Sequence, residues 1–136
     1  MEKKNVFEYV KVSSVRLNNL NIQKGSNKVA KRVQIRREHN LEISGVTEDG
    51  FNIVLNLKVF CEPDGLFKMD MELVGRYRYI NIDSVNSFTT EDIKHNLSRL
   101  SEPLFSQASL IIAFLIEKFL GWPVILPPFA FEEENE

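Results

Sequence analysis

The sequence predicts an α+β domain in which a four-stranded antiparallel sheet is covered by one long helix. Two observations predict it: apolar side chains recur at every second residue through the N-terminal part, and a helical pattern fills the C-terminal part. Strands followed by helices are typical of an antiparallel sheet with helices on one face. At 136 residues the chain can bury one substantial core. We expect a single domain over residues 1–131 and an acidic tail over residues 132–136.

Three of the strands form consecutive hairpins. Residues 51–59 and 67–79 each alternate apolar and polar side chains, which is typical of strands with one buried face. The residues EPDG at 62–65 supply the proline and the Asp-Gly pair of a tight turn between them. Residues 41–44 alternate in the same way and lead through the turn residues 48–50 into the next strand. The sequence therefore predicts three antiparallel strands in chain order.

The first strand is less regular. Within residues 10–22 the apolar side chains stand at even positions, then at odd positions, then at even positions again. The alternation reverses at Ser13-Ser14 and at Asn18-Asn19. One extra residue at each point is the pattern of a β-bulge, which bends a strand. Bent strands suit sheet edges, so we expect this strand at an edge.

Two helical patterns follow the strands. Thr89 or Thr90 can cap a short helix that carries Ile93, Leu97 and Leu100 on one side. The second pattern begins at Ser101-Glu102-Pro103, a cap followed by proline in the first turn, and ends at Gly121.

The long helix is apolar nearly all round, and the segment GWPVILPPFAF at 121–131 extends this apolar surface. One sheet can cover only one side of a helix, so the rest must be covered by another molecule. We expect the chain to form oligomers, to bind apolar partners, or both. The residues expected at the oligomer interface are Phe105, Ala108, Ile112, Ile116, Val10 and Val12.

Charge and composition exclude several classes of protein. A net charge of −2 and a pI near 5.8 disfavour nucleic acid as the main partner. The basic residues within 28–37 are interpreted as a solvated loop and strand face, with an anion-binding patch as the alternative. The lone Cys61 excludes an internal disulfide and a thiolate metal cluster. With neither a secretory signal nor a membrane-spanning apolar run in the sequence, we expect a cytoplasmic protein.

Catalysis is not expected. The two histidines, His39 and His95, have ordinary polar neighbours, and no nucleophile, paired-carboxylate or metal-ligand spacing accompanies them. The sequence accordingly predicts no metal and no cofactor. Cys61 is interpreted as a small apolar residue rather than a reactive thiol.

The C-terminal part resembles the SecB family of bacterial protein-export chaperones. In that family a long helix leads into an apolar segment of the type LLPPxNF, and here the segment is ILPPFAF at 125–131. The stretch VKVSSVRLNNLNIQ resembles the first strand of the family, and FKMDMELVGRYRYI, with Gly75, resembles the fourth. The resemblance covers most of residues 7–131.

This resemblance implies a Greek-key sheet, a dimer-of-dimers assembly with helices between the sheets, and ATP-independent holding of unfolded precursors in apolar grooves. The precursors would pass to the translocation motor, for which Asp70 and Glu72 are the candidate docking residues. Candidate client-binding residues are Trp122, Ile125, Phe129, Phe131 and Val29.

The sequence also departs from the family pattern. Instead of a second C-terminal helix, an acidic run follows Phe131, and Asn19 and Gln23 stand at two positions where motor-docking acids are expected. These departures would suit a SecB-like chaperone dedicated to one partner, such as an antitoxin. A further alternative is an adaptor or small-ligand binder that uses the same fold without chaperone activity.

Overall fold

The computed structural model describes residues 6–24, 34–62, 67–80 and 89–120. A 3₁₀ turn at Val6–Tyr9 precedes four strands, which are β1 (Val10–Lys24), β2 (Gln34–Ser44), β3 (Gly50–Glu62) and β4 (Phe67–Tyr79). Three helices follow, namely α1 (Thr90–His95), α2 (Leu97–Leu100) and α3 (Glu102–Leu120). The strands form one antiparallel sheet in the order β1-β4-β3-β2. This is the Greek-key arrangement, because three hairpin-connected strands are followed spatially by β1 beside β4. The predicted fold class is confirmed.

One face of the sheet is apolar and buried. The alternate residues of β3 from Phe51 to Val59 and of β4 from Phe67 to Tyr77 are almost completely covered, while their neighbours on the other face are half-buried or exposed. The period-2 pattern read from the sequence is therefore the side-chain pattern of the sheet. We call the covered side the inner face and the polar side the outer face.

The two register shifts in β1 occur where the parity changes in the sequence. Pairing with β4 is interrupted between Val12 and Ser14 and again between Leu17 and Asn19. Each shift restores apolar residues to the inner face, because one extra residue reverses the side that the following side chains take. Within the described ranges β1 pairs with β4 alone, so its prediction as an edge strand is confirmed.

Strand β2 begins earlier than the sequence pattern indicated. It pairs with β3 from Gln34 onward, whereas alternation was visible only over residues 41–44. The half-buried residues of its first half include Arg37 and His39. Because both are polar, the sequence shows no alternation of apolar and polar residues there. Phe105 of α3 covers both: its ring centroid lies 5.2 Å from that of His39 and 5.4 Å from Cζ of Arg37. Helix packing thus gives this half of β2 its buried side.

The expected short helix is divided into α1 and α2. Thr89 caps α1 as predicted, and its side chain and that of Asp92 form a reciprocal capping box. Asn96 interrupts the helix with φ −110° and ψ 11°, while its side-chain amide donates to the Asp92 carbonyl at 2.9 Å. Asparagine competes with the helical backbone for hydrogen bonds in this way, which explains the break.

Helix α3 lies across the inner face. A Cβ at Gly75 would lie 2.9 Å from the Tyr77 ring and 3.1 Å from the Leu104 side chain, so the glycine allows α3 to approach β4 closely. Pro103 sits in the first turn of α3 as predicted. The expected capping role of Ser101 is not observed, because its hydroxyl donates to the Ser98 carbonyl at 3.0 Å.

A buried hydrogen bond ties the helices to the sheet. The Tyr77 hydroxyl donates to the carbonyl of Leu100, at the end of α2, and the Tyr77 ring stacks on Phe51 with centroids 5.2 Å apart. Burial raises the pKa of Tyr77 above its ordinary value of 10.0, because a phenolate here would lose its hydration.

We predict that Tyr77→Phe lowers the free energy of unfolding by about 1–2 kcal/mol at pH 7, because the Leu100 carbonyl loses its buried donor. Above pH 10.0 the wild type should lose stability, since Tyr77 ionises in the unfolded chain but stays protonated in the folded one. The Tyr77 contribution to this loss is about 1.4 kcal/mol per pH unit and is absent from Tyr77→Phe. Urea unfolding at a series of pH values checks this. Parallel pH profiles for the two proteins would contradict it.

Candidate functional site

The side of α3 that faces away from the sheet carries large exposed apolar side chains. Leu110 is 67% exposed and Phe114 is 59% exposed, and the half-buried Ile111, Ala113 and Leu115 border them. Residues three and four apart share one side of a helix, so these side chains form a continuous stripe. We call Leu110, Phe114 and these three neighbours the outer helix face; Ile111 and Leu115 form its border and also pack against the core.

Polar residues frame this stripe at both ends. Ser106 and Gln107 are exposed one turn before it, and Glu117 and Lys118 are exposed one turn after it. The Lys118 ammonium nitrogen lies 5.1 Å from the centroid of the Phe114 ring, which is within cation–π range. An apolar centre with a polar rim is the usual anatomy of a protein-binding surface.

The opposite side of α3 is occupied by the chain's own sheet. Phe105, Ala108, Ile112 and Ile116 are at most 1% exposed in a single chain. In the single chain these four side chains belong to the core, so the outer helix face is the side of α3 that remains available. Their expected place in an oligomer interface stays a prediction.

The other two expected interface residues lie on the edge strand. Val10 and Val12 are half-buried and pack against the core from β1. The side of β1 away from β4 carries no paired strand within the described part of the chain. An edge of this kind offers backbone donors and acceptors to another strand. The role of Val10 and Val12 in an interface remains a prediction.

The outer face of the sheet holds the two candidate motor-docking residues. Asp70 and Glu72 are both half-buried on β4, and the Asn18 amide donates to the Glu72 carboxylate at 3.4 Å. With Glu38 and Lys58 they line a groove of about 370 Å³ on this face. Lys58 stands opposite Asp70 on one side and Glu38 on the other, so the charges here alternate in sign across the strands. This groove suits a partner of mixed charge, and its use for docking a motor remains a prediction.

The five candidate client-binding residues, Trp122, Ile125, Phe129, Phe131 and Val29, lie outside the described residues. The sequence predicted that one side of α3 would stay uncovered by the sheet, but it did not identify Leu110 and Phe114 as the exposed residues of that side. The available signal was the spacing of Leu110 and Phe114 among the apolar residues of α3.

Within the part of the chain that the structure describes, neither histidine belongs to a group that could hold a metal ion. His39 makes an edge-to-face contact with Phe105, and His95 is exposed on α1. Among residues 6–24, 34–62, 67–80 and 89–120, no three His, Cys, Asp or Glu side chains are grouped so as to hold a metal ion. No helix in these same ranges is long and apolar enough to cross a membrane.

No protein-family sequence model matches the chain, and a search among curated proteins finds no significant sequence match. Solved structures do match in fold. One is the SecB-like chaperone of Mycobacterium tuberculosis, solved in complex with a peptide from the HigA1 antitoxin, with a TM-score of 0.77 and 12% identity. The match covers 90% of this chain and 92% of that one.

A second structure shares the architecture less closely. It is a protein of unknown function from Streptococcus agalactiae, with a TM-score of 0.51 and 16% identity over 87% of this chain and 96% of that one. Together with the strand order and the long C-terminal helix, the first match shows that this chain has a SecB-like fold.

Proposed function

We propose that this protein is an ATP-independent chaperone that binds extended or unfolded segments of other polypeptides and prevents their aggregation. The observation that carries the proposal is the SecB-like fold, on which the described chain leaves an apolar stripe, the outer helix face, to be covered by another polypeptide, either a second copy or a client. Large apolar surfaces on soluble proteins mark sites for other proteins. The proposal needs no metal, nucleotide or catalytic residue, and it places the protein in the cytoplasm.

We propose further that the outer helix face joins two copies of the chain and that each client groove is bordered by residues 121–131. An oligomer would cover Leu110 and Phe114, whose exposure costs about 25 cal/mol for each Å² of apolar surface left in water. Trp122, Ile125, Phe129 and Phe131 would then supply aromatic and branched contacts for clients. A dimer of dimers is the assembly that the resemblance to SecB implies.

Two kinds of client are consistent with this proposal. One is a range of precursor proteins kept competent for export, which would use Asp70 and Glu72 to dock a translocation motor. The other is a single dedicated partner such as an antitoxin. The second is favoured by the M. tuberculosis chaperone, which was solved with an antitoxin peptide, and by the mixed charge of the groove around Asp70.

The chaperone proposal is tested by aggregation of a chemically unfolded client, followed by light scattering without nucleotide. We expect near-stoichiometric amounts of the protein to suppress scattering, because a holding chaperone acts by covering apolar segments. Serum albumin at equal mass is the control for nonspecific protection. If the protein gives no more protection than albumin, the adaptor or ligand-binding alternative replaces the proposal.

A further inference from the structure

Four basic residues gather at one end of the outer face of the sheet. Arg76 and Arg78 alternate along β4, Arg16 lies on β1 opposite Val74, and Lys11 lies opposite Arg78. We call these four the arginine cluster. Together with Ser13, Ser14 and Asn52, the three arginines line a shallow groove of about 370 Å³.

This cluster differs from the rest of the outer face in how its charges are arranged. Near Asp70, opposite charges face each other across strands, as in the Lys58–Asp70 and Glu38–Lys58 positions. At the arginine cluster, Lys11 and Arg78 are like charges directly opposite each other, which destabilises a sheet. Within the described chain Arg76 donates to the Asn52 side chain at 3.4 Å, and Arg16 and Arg78 have no carboxylate partner. A like-charge cluster that has no carboxylate partner among the described residues is a candidate site for an acidic partner.

Two acids lie near the ends of the cluster. Glu72 is the diagonal neighbour of Arg16 at about 7–8 Å, because Arg16 stands opposite Val74, and Asp49 precedes Gly50, which pairs with Arg78. Arg76 lies four residues from Glu72 along the same strand, about 14 Å, which exceeds the Debye length of about 8 Å at physiological ionic strength. The positive charge is therefore least compensated at Arg76, in the middle of the cluster.

We propose that the arginine cluster binds an acidic segment of a partner polypeptide in extended conformation. Arg76 and Arg78 are about 7 Å apart along the strand, which is the repeat of alternate side chains in an extended peptide. Arg16 lies diagonally across from Arg76 at about 7–8 Å, so a second row of carboxylates can be reached. Guanidinium groups form bidentate hydrogen bonds with carboxylates, and the serines and Asn52 can accept or donate between them.

The geometry favours a short peptide over a nucleic acid. The acids Asp70 and Glu72 occupy the same face farther along β4, so a long polyanion would meet repulsion beyond the cluster. A chain of net charge −2 also lacks the broad basic surface that neutralises many phosphates. A single phosphate would need converging groups, whereas these side chains are spread along the strands.

The proposal is tested with a fluorescein-labelled glutamate-rich peptide, followed by fluorescence anisotropy. The peptide in which glutamine replaces glutamate is the control. We expect Arg16→Gln, Arg76→Gln and Arg78→Gln each to weaken binding about threefold, and the triple variant about thirtyfold. Lys68→Gln, an exposed position on the same face of β4, should leave affinity unchanged. Binding should also weaken as salt is raised.

The fold and the chaperone activity are followed separately. The triple variant should keep or raise the thermal midpoint, because the repulsion between Arg78 and Lys11 is relieved, and it should still suppress client aggregation. Equal binding of the glutamine peptide, or equal loss of affinity in Lys68→Gln, overturns the proposal. It is also overturned if an oligonucleotide or inorganic phosphate binds more tightly than the peptide. A fourth result against it is peptide binding only when the glutamates of 132–136 are changed to glutamine, which would make that tail the occupant.

Discussion

Ile112→Asp is expected to unfold the protein rather than merely to dissociate an assembly. Ile112 is 1% exposed and lies in the core formed by α3 and the inner face of the sheet. The substitution removes a buried branched side chain and places a carboxylate in the apolar core cluster, at a combined cost of about 5 kcal/mol or more. Domains of this size are stable by about 5–15 kcal/mol, so much of the stability is lost. Circular dichroism and urea unfolding check this result.

The matched substitution on the other side of the same helix is Phe114→Asp combined with Leu110→Asp. Both residues are exposed in the single chain, so the fold and its far-ultraviolet spectrum should persist. If the outer helix face joins two copies, sedimentation should show smaller species than the wild type, because carboxylates would be desolvated at the contact. A wild type that sediments as a monomer at micromolar concentration refutes the interface proposal. A folded Ile112→Asp variant would contradict the assignment of that residue to the core.

Much of the sheet could be predicted because its signals are local. The alternation of residues 51–59 and 67–79 identifies the buried face directly, since side chains in a strand alternate between the two sides. The two parity changes in β1 identify the bulges for the same reason, because each added residue reverses the alternation. The fold class and the edge position of β1 then follow from these patterns.

The remaining features depend on contacts between elements distant in sequence. The first half of β2 has the polar residues Arg37 and His39 on its covered side, and the position of Phe105 over both accounts for part of their burial. Likewise, both sides of α3 are apolar, so the sequence could not say which side meets the sheet. The fold shows that the side of α3 with Leu104 meets the sheet, because Gly75 has no side chain to keep Leu104 away from β4.

The arginine cluster was missed for a related reason. Arg16 is separated from Arg76 and Arg78 by most of β1, β2 and β3 in the sequence, and the sequence-based interpretation looked for basic residues that are close along the chain. The pairing of β1 with β4 brings the three together. Charge patches on Greek-key sheets are therefore visible only once the strand order is known.

The second large effect is expected from Phe129→Ser combined with Phe131→Ser. We expect this double variant to keep the assembly size and thermal midpoint of the wild type and to lose most client binding. Both aromatic residues follow Pro127-Pro128, which restrict the backbone and reduce the entropy lost when a client binds. Removing two aromatic contacts from a binding groove costs about 2 kcal/mol or more each, which is over tenfold in affinity per residue.

The control is Val46→Ser, which removes an apolar side chain that is 41% exposed in the β2–β3 loop. It should change neither assembly nor client binding, so a loss confined to the double variant identifies a specific site rather than a general decrease in surface apolarity. Binding is measured by anisotropy of a labelled, chemically unfolded client, and assembly by sedimentation of the same samples. If the double variant instead dissociates or unfolds while the remaining assembly binds clients normally, the two phenylalanines stabilise the protein and the groove lies elsewhere. The distinction is physical, because serine at a free groove wall changes only the surface that clients meet, whereas serine under a helix or between subunits removes buried apolar area on which folding or assembly depends.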